Sequence, residues 1–271
     1  MSIKHILKPL TPPIFLTLYR KLTTKNVSYN GNFKTWQDAV NKSAGWDKAA
    51  IFEKVSASAK LVKEGKAAYE RDSVIFDKIQ YAWPLLACLE HIALADNHLS
   101  LIDFGGSLGT TYFQNRHFLK PIASLKWHVV EQPHYVECGK HEFEDEHLKF
   151  EYTIEDVIKN ESINCLLTSG AMQYFEHPVE WFEKFKNHHF KYLLFDRISF
   201  IADDERISVQ TVPSHIYSAS LPCWFFNEAE FINHFKSKYN LIADFDSADE
   251  TTLSSDNKKL YWKGFFFKLK K

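Results

Sequence analysis

From residue 99 onward the apolar positions come in short β-branched and aromatic runs, LSLID, KWHVVE, LKFEY, INCLLTS and KYLLFD, separated by stretches with helical spacing. Strands alternating with helices predict a parallel sheet in an α/β layer fold. Near the end, LIADFDS (241–247) and YWKGFFFKLKK (261–271) are separated only by a polar loop, which predicts an antiparallel hairpin closing that sheet. Residues 33–98 have a different texture. Apolar side chains recur there at three and four positions (Trp36, Ala39, Val40; Ile51, Val55, Ala59, Val62), with Gly65 and Pro84 as breaks, so helices are expected and strands are not. The chain thus divides into a segment 1–29, a helical cap 30–98 and a sheet domain 99–271.

The first 25 residues carry five bases (Lys4, Lys8, Arg20, Lys21, Lys25) and no acid, interleaved with Ile3, Ile6, Leu7, Leu10, Ile14, Phe15 and Leu18. Such a basic amphipathic segment either packs its apolar stripe on the body or rests on an anionic membrane surface as a peripheral contact. No apolar run approaches a membrane span, and no signal peptide is visible. Over the whole chain 33 basic side chains balance 34 acidic ones, which is no electrostatic footprint for a nucleic-acid partner. The four cysteines (Cys88, Cys138, Cys165, Cys223) form no CxxC and stand far apart, as in a protein of the reducing cytoplasm.

Chemistry concentrates first in LSLIDFGGSLGTTYFQ (99–114), where a strand runs into a glycine-rich turn. Such turns let a ligand approach the backbone. A P-loop would need a lysine after its last glycine, whereas Gly109 is followed by Thr110 and Thr111. The dinucleotide pattern GxGxxG also fits poorly. Asp103-x-Gly105-x-Ser107-x-Gly109 instead resembles the [DE]xGxGxG motif of class I S-adenosylmethionine-dependent methyltransferases, with Ser107 at the middle glycine and Gly106 between. That resemblance implies a Rossmann-like α/β sheet with a helical cap. It also implies S-adenosyl-L-methionine as cofactor, an ordering role for Asp103 and glycines that admit the methionine moiety.

Glu131 ends the second strand, followed by Gln132, and an acid there can accept hydrogen bonds from both hydroxyls of a ribose, which NAD and S-adenosylmethionine share. NCLLTSGAMQYFEHPVEWFEKF resembles the fourth-strand region of the same superfamily, which implies Ser169 and Gly170 beside the methionyl group, and Gln173, Tyr174 and His177 facing the acceptor. Thr153 and Ile154 are the expected adenine wall. In YERD (69–72), Tyr69 and Arg71 are placed where a lid could reach the cofactor's carboxylate.

A narrower resemblance rests on AAYERDSVIFDKIQYAWPLLA (67–87), the glycine loop, and the stretch from FDRISF to WFFNEAEF (195–231). Together they are similar to a methyltransferase family associated with bacterial surface-polysaccharide biosynthesis, from about Gly31 onward, which implies a sugar, glycan precursor or related small metabolite as acceptor. Methyl transfer is an in-line displacement that demands alignment in a dry pocket. A hydroxyl nucleophile gains from a general base. The candidates are His177, Asp196 with Arg197, and a loop carrying Gln210, His215, Tyr217 and Trp224, while Arg197 could clamp a phosphate or carboxylate. HEFEDEH (141–147) is not HExxH, and its histidines face different ways on a helix, so no metal site is expected. Two rivals stand beside the methyltransferase: an NAD-dependent sugar-modifying oxidoreductase, and a non-catalytic scaffold that keeps the pocket.

Overall fold

A computed structural model describes residues 27–46, 48–214, 216–247, 249 and 251–271. The basic segment 1–25 and His215 therefore lie outside the described residues. The region after it runs β1 (Ser28–Phe33), α1 (Trp36–Lys42), β2 (Gly45–Trp46), α2 (Lys48–Lys63), the hairpin β3–β4 (Tyr69–Arg71, Val74–Phe76) and α3 (Trp83–Asp96). The helices follow the expected periodicity: Thr35 caps α1 by accepting the Asp38 N–H at 3.1 Å, and Pro84 lies in the first turn of α3, where its missing N–H costs nothing. The strands correct the all-helical expectation for 33–98. The turn of the hairpin uses Asp72 and Ser73, both at positive φ (51° and 66°), as a type I′ turn requires, yet it has no glycine or asparagine to announce it.

Next come β5 (Leu99–Phe104), α4 (Thr110–Leu119), β6 (Leu125–Val130), α5 (Pro133–Cys138), β7 (Leu148–Glu151), α6 (Ile154–Asn160), β8 (Cys165–Ser169), α7 (Pro178–Asn187) and β9 (Tyr192–Ile201). The chain ends with β10 (Arg206–Val212), β11 (Ala219–Asn227), α8 (Glu228–Phe235), β12 (Tyr239–Asp246), β13 (Thr252–Leu253) and β14 (Lys259–Leu269). Strands β7, β6, β5, β8 and β9 are parallel in that order, and β14 then pairs antiparallel with β9 and with β12. This is a Rossmann-like sheet, parallel strands closed by an antiparallel carboxy-terminal hairpin, the layout that the sequence resemblance implies.

The central strand β5 is buried at all six positions, as a strand covered by helices on both faces must be. Leu99 and Leu101 point into a core shared with α2, α3 and α4, whereas Ile102 and Phe104 point into one shared with α6, α7 and α8. The second core is built on phenylalanines, with Phe182, Phe195, Phe231 and Phe235 in mutual ring contact. These two layers hold the strand ends in place.

The stretch expected as a loop carrying Gln210 and Trp224 is the antiparallel pair β10–β11, joined by β1 on one side and touching the end of β9 on the other. Pro213 and Pro222 make this stretch look punctuated, but Pro222 sits within β11 opposite Val209. Between them only residues 213–218 connect, and Tyr217 lies there. This small sheet overhangs the carboxyl edge of the parallel one. Among the described residues no helix is long and apolar enough to cross a membrane.

Candidate functional site

The carboxyl ends of β5, β6, β8 and β9 meet at one edge of the sheet, where ligands of open α/β folds bind. The turn from β5 into α4 places Gly105, Ser107 and Gly109 at φ of 74°, 54° and 84°. Serine thus takes the left-handed conformation that the motif ordinarily gives to glycine, at a modest local cost. Asp103 lies beneath this loop, fully buried, and its Oδ2 accepts the Trp127 indole N–H at 3.0 Å. A Cβ on Gly106 would fall 2.5 Å from the Asp103 carboxyl carbon, so the backbone rests directly on that side chain. Burial pushes the Asp103 carboxyl up to about 7, and its Oδ1 has no partner among the described residues. Asp103 is a support for the loop, one layer below the site.

Above the loop is a chamber of about 710 Å³, within the size range of small-molecule sites. Phe104, Phe175 and Trp181 form one aromatic cluster in its wall, with centroids 4.6 to 5.6 Å apart. Three buried or half-buried carboxylates form the rest of its character. Glu131 is held by the Gln132 N–H at 2.6 Å and by the Ser107 N–H. Asp196 accepts the Ser169 hydroxyl at 2.8 Å. Glu70 accepts the Thr110 hydroxyl and, at 3.3 Å, the Ser73 N–H. All three are held by neutral donors, and burial raises each above the ordinary carboxylate range, Glu70 to about 6.

A second chamber, of about 690 Å³, shares a wall with the first through Arg71, Asp72, Gln132, Tyr135, Tyr174, Arg197 and Tyr217. Tyr29, Gln210 and Leu221 of the small antiparallel sheet line it on one side, and His134, Gln173, Asp249 and Trp262 are also in its lining. The Gln173 amide is oriented by donating to the carbonyls of Gly170 (3.2 Å) and Arg197 (3.3 Å). Ligands in the two chambers would meet across this shared wall.

Arg197 holds the assembly together. Its Nε donates to Asp249 at 2.7 Å and its Nη2 to Asp72 at 3.1 Å, which ties β9 to the β3–β4 turn and to the segment before β13. The guanidinium faces Gly170 with its remaining edge. Two carboxylates already pair with Arg197, so much of its hydrogen-bonding capacity goes into tying these elements together.

The expected site residues sort clearly. Tyr69, Arg71, Gly105, Gly106, Ser107, Glu131, Gln132, Ser169, Gly170, Tyr174, Asp196 and Arg197 all line the first chamber. Gly109 caps α4 behind the loop. Thr153 is exposed and caps α6, accepting the Asp156 N–H at 3.0 Å, and Ile154 is packed in the core; neither is in the lining of the chamber, whereas Tyr152 is. His177 is exposed at the start of α7, near Glu176, and lines neither chamber.

Two lining residues escape the sequence. Glu70 sits between two residues that read as a charged turn, and its burial depends on Thr110, 40 positions away. His134 is the second residue of α5, four positions past the end of β6, and packs against Phe52 and Tyr135 at 5.0 and 4.7 Å. The strand-end rule would have found it. Among the described residues no three His, Cys, Asp or Glu side chains gather as a metal site.

No family model matches the chain, and no curated protein sequence matches it. Similar solved structures include an S-adenosylmethionine-dependent methyltransferase from Clostridium acetobutylicum (TM-score 0.45, 11% identity, 71% of this chain and 93% of that one). LepI in complex with SAM is similar at a TM-score of 0.44, with 9% identity over 81% of this chain and 64% of that one. The glycopeptide N-methyltransferase MtfA complexed with sinefungin gives 0.43, with 8% identity over 68% and 94%. These are likenesses of outline, and the function is drawn from the site itself.

Proposed function

We propose that the protein is an S-adenosylmethionine-dependent methyltransferase acting on an uncharged, hydroxyl-bearing small acceptor of the sugar or glycan-precursor class. The observation that carries this is the charge of the first chamber. Its lining has four carboxylates (Glu70, Asp72, Glu131, Asp196) against two guanidiniums (Arg71, Arg197), one of which is already paired. Buried carboxylates without a cation are costly unless a ligand supplies one. S-adenosylmethionine, with its sulfonium and ammonium, is such a ligand. A pyrophosphate in the same place would bring its negative charges against these acids, which weighs against the NAD-dependent rival.

The residues present fit this cofactor. Glu131 would receive the ribose hydroxyls, the Phe104, Phe175 and Trp181 cluster with Tyr152 would take the apolar base, and Gly105 and Gly106 would let the chain of the methionine pass close to the backbone. The cofactor supplies an electrophilic methyl group. The protein supplies alignment and exclusion of water, with the hairpin β3–β4 of the 30–98 cap walling both chambers. In the second chamber two carboxylates, Asp72 and Asp249, face two guanidiniums, Arg71 and Arg197, so the charges balance and tyrosines, a tryptophan and glutamines are left to receive a neutral, hydroxylated ring. His134, within that lining, is placed to take the hydroxyl proton. The similarity of residues 67–87 and 195–231 to the polysaccharide-associated family supports the same acceptor class, and a cytoplasmic site of action, peripheral to the membrane through residues 1–25, accords with it.

Calorimetry with S-adenosylmethionine, S-adenosylhomocysteine and NAD tests the cofactor. Binding of the first two is expected, and binding of NAD alone overturns the assignment. The acceptor is tested with labelled methyl donor and a panel of nucleotide sugars and lipid-linked glycans: incorporation only into amine or carboxylate acceptors overturns the proposed class. Co-sedimentation with anionic vesicles tests the peripheral contact, which is refuted if deleting residues 1–25 changes nothing.

A further inference from the structure

Of the four carboxylates in the first chamber, Glu131 stands at the end of β6, Asp196 in β9, and Asp72, already paired with Arg197, in the hairpin turn. Glu70, from β3, is the hairpin carboxylate with no ion pair among the described residues. It is 3% exposed and fixed between the first residue of α4, Thr110, and the turn residue Ser73. A carboxylate offers about four acceptor positions, and these two neutral donors use two of them. The next residue, Arg71, lines the same chamber with a guanidinium. One fixed anion beside one cation is the complement of a zwitterionic α-amino acid.

We infer that Glu70 reads the α-ammonium group of the methyl donor while Arg71 receives its carboxylate, which makes Glu70 a specificity-determining residue of the cofactor chamber. The inference rests on the donor assignment above. An ammonium is the better match for Glu70 than a sulfonium, because only the ammonium carries N–H groups that can donate into the free acceptor positions. Glu131 cannot serve both ribose and amino group, since the α-ammonium lies at the far end of the amino-acid chain, several bonds beyond the sulfur from the ribose hydroxyls.

The test is calorimetry of wild type and Glu70→Gln with two ligands, S-adenosylhomocysteine and its analogue in which hydrogen replaces the α-amino group. Wild type is expected to prefer the amino-bearing ligand by about tenfold or more, the scale of one charge-assisted hydrogen bond. Glu70→Gln is expected to bind S-adenosylhomocysteine about 10 to 100 times more weakly and the deaminated analogue within about twofold of wild type. Equal affinity of wild type for the two ligands overturns the inference without recourse to any variant. So does a variant that keeps the preference or weakens both ligands alike. Wild type that binds neither ligand refutes the donor assignment instead.

Discussion

Replacing Glu131 tests how the chamber holds a ribose. The Gln132 and Ser107 N–H groups fix its carboxylate, and burial has already removed most of its water, so it meets a diol with no further reorganisation. Two charge-assisted bonds at roughly 1.5 to 3 kcal/mol each set the upper bound. In Glu131→Ala the two freed N–H groups can turn to water or to the ribose oxygens and recover part of this, so the expected loss is about 10- to 100-fold in affinity for S-adenosylhomocysteine. Glu131→Gln keeps one acceptor and should lose about tenfold. Stability should move the other way. Because burial raises the carboxyl above its unfolded value, the fold favours the neutral form; that contribution is present below the ordinary carboxylate pKa and lost as pH rises through the folded one. At pH 7.5, Glu131→Gln should therefore melt no lower than wild type while binding more weakly. Wild-type affinity should also fall as the pH is lowered into the raised range, and the Gln variant should be flat there. Calorimetry and thermal melts read all of this. Unchanged affinity in Glu131→Ala, or a melting point that falls together with the affinity in Glu131→Gln, refutes the assignment.

Other positions give independent checks. Arg197 has φ of 54°, so Arg197→Gly and Arg197→Ala lose the same ion pairs but only Ala keeps the strain; urea melts should find Gly more stable by about 1 kcal/mol, and the opposite order would dismiss the strain. His134→Gln should lower kcat by roughly 10² to 10⁴ while leaving donor affinity within about twofold; unaltered turnover removes it as base. His128 in β6 has both ring nitrogens buried without a hydrogen-bond partner among the described residues, and burial lowers its pKa. The unfolded chain then takes up the proton first, and stability contributed by the neutral ring is lost as pH falls through about 6.5. His128→Leu should flatten the decline in melting temperature between pH 7.5 and 5.5, and parallel curves for the two proteins would count against it.

The sheet is legible in the sequence because its strands are either continuous apolar runs or end in a chemical signal such as DFGG or VVEQP. Elements made by distant partners are not. The β3–β4 turn lacks glycine, and β10–β11 carries prolines that mimic loop punctuation. Roles fail for a similar reason. Thr153 has the composition of a polar pocket residue, yet Asp156 three positions later makes it a helix cap, and its hydroxyl is occupied. His177 precedes a proline that starts α7, and its side chain is exposed. Glu70 is the converse case, a charge whose burial comes from α4 and whose local sequence looks solvated.

The pair Asp196 and Arg197 shows why a strand pattern alone misplaces chemistry. Successive side chains of a regular strand inside a helix-covered sheet point into opposite layers, so two neighbours of β9 should not line one chamber. Both do so here. The cause is a bulge: Phe195 pairs with Phe265 and Ile198 with Lys263, so two residues of β9 oppose the single Gly264 of β14. The extra residue is Arg197, whose left-handed backbone breaks the alternation and re-aims the strand end. An arginine in that conformation needs a reason to stay, and its ties to Asp72 and Asp249, 125 and 52 positions away, provide it. The same contacts close the hairpin over both chambers. Site and strain therefore depend on one another: without the bulge Arg197 could not reach both acids, and without the acids β9 would have little reason to bulge at an arginine.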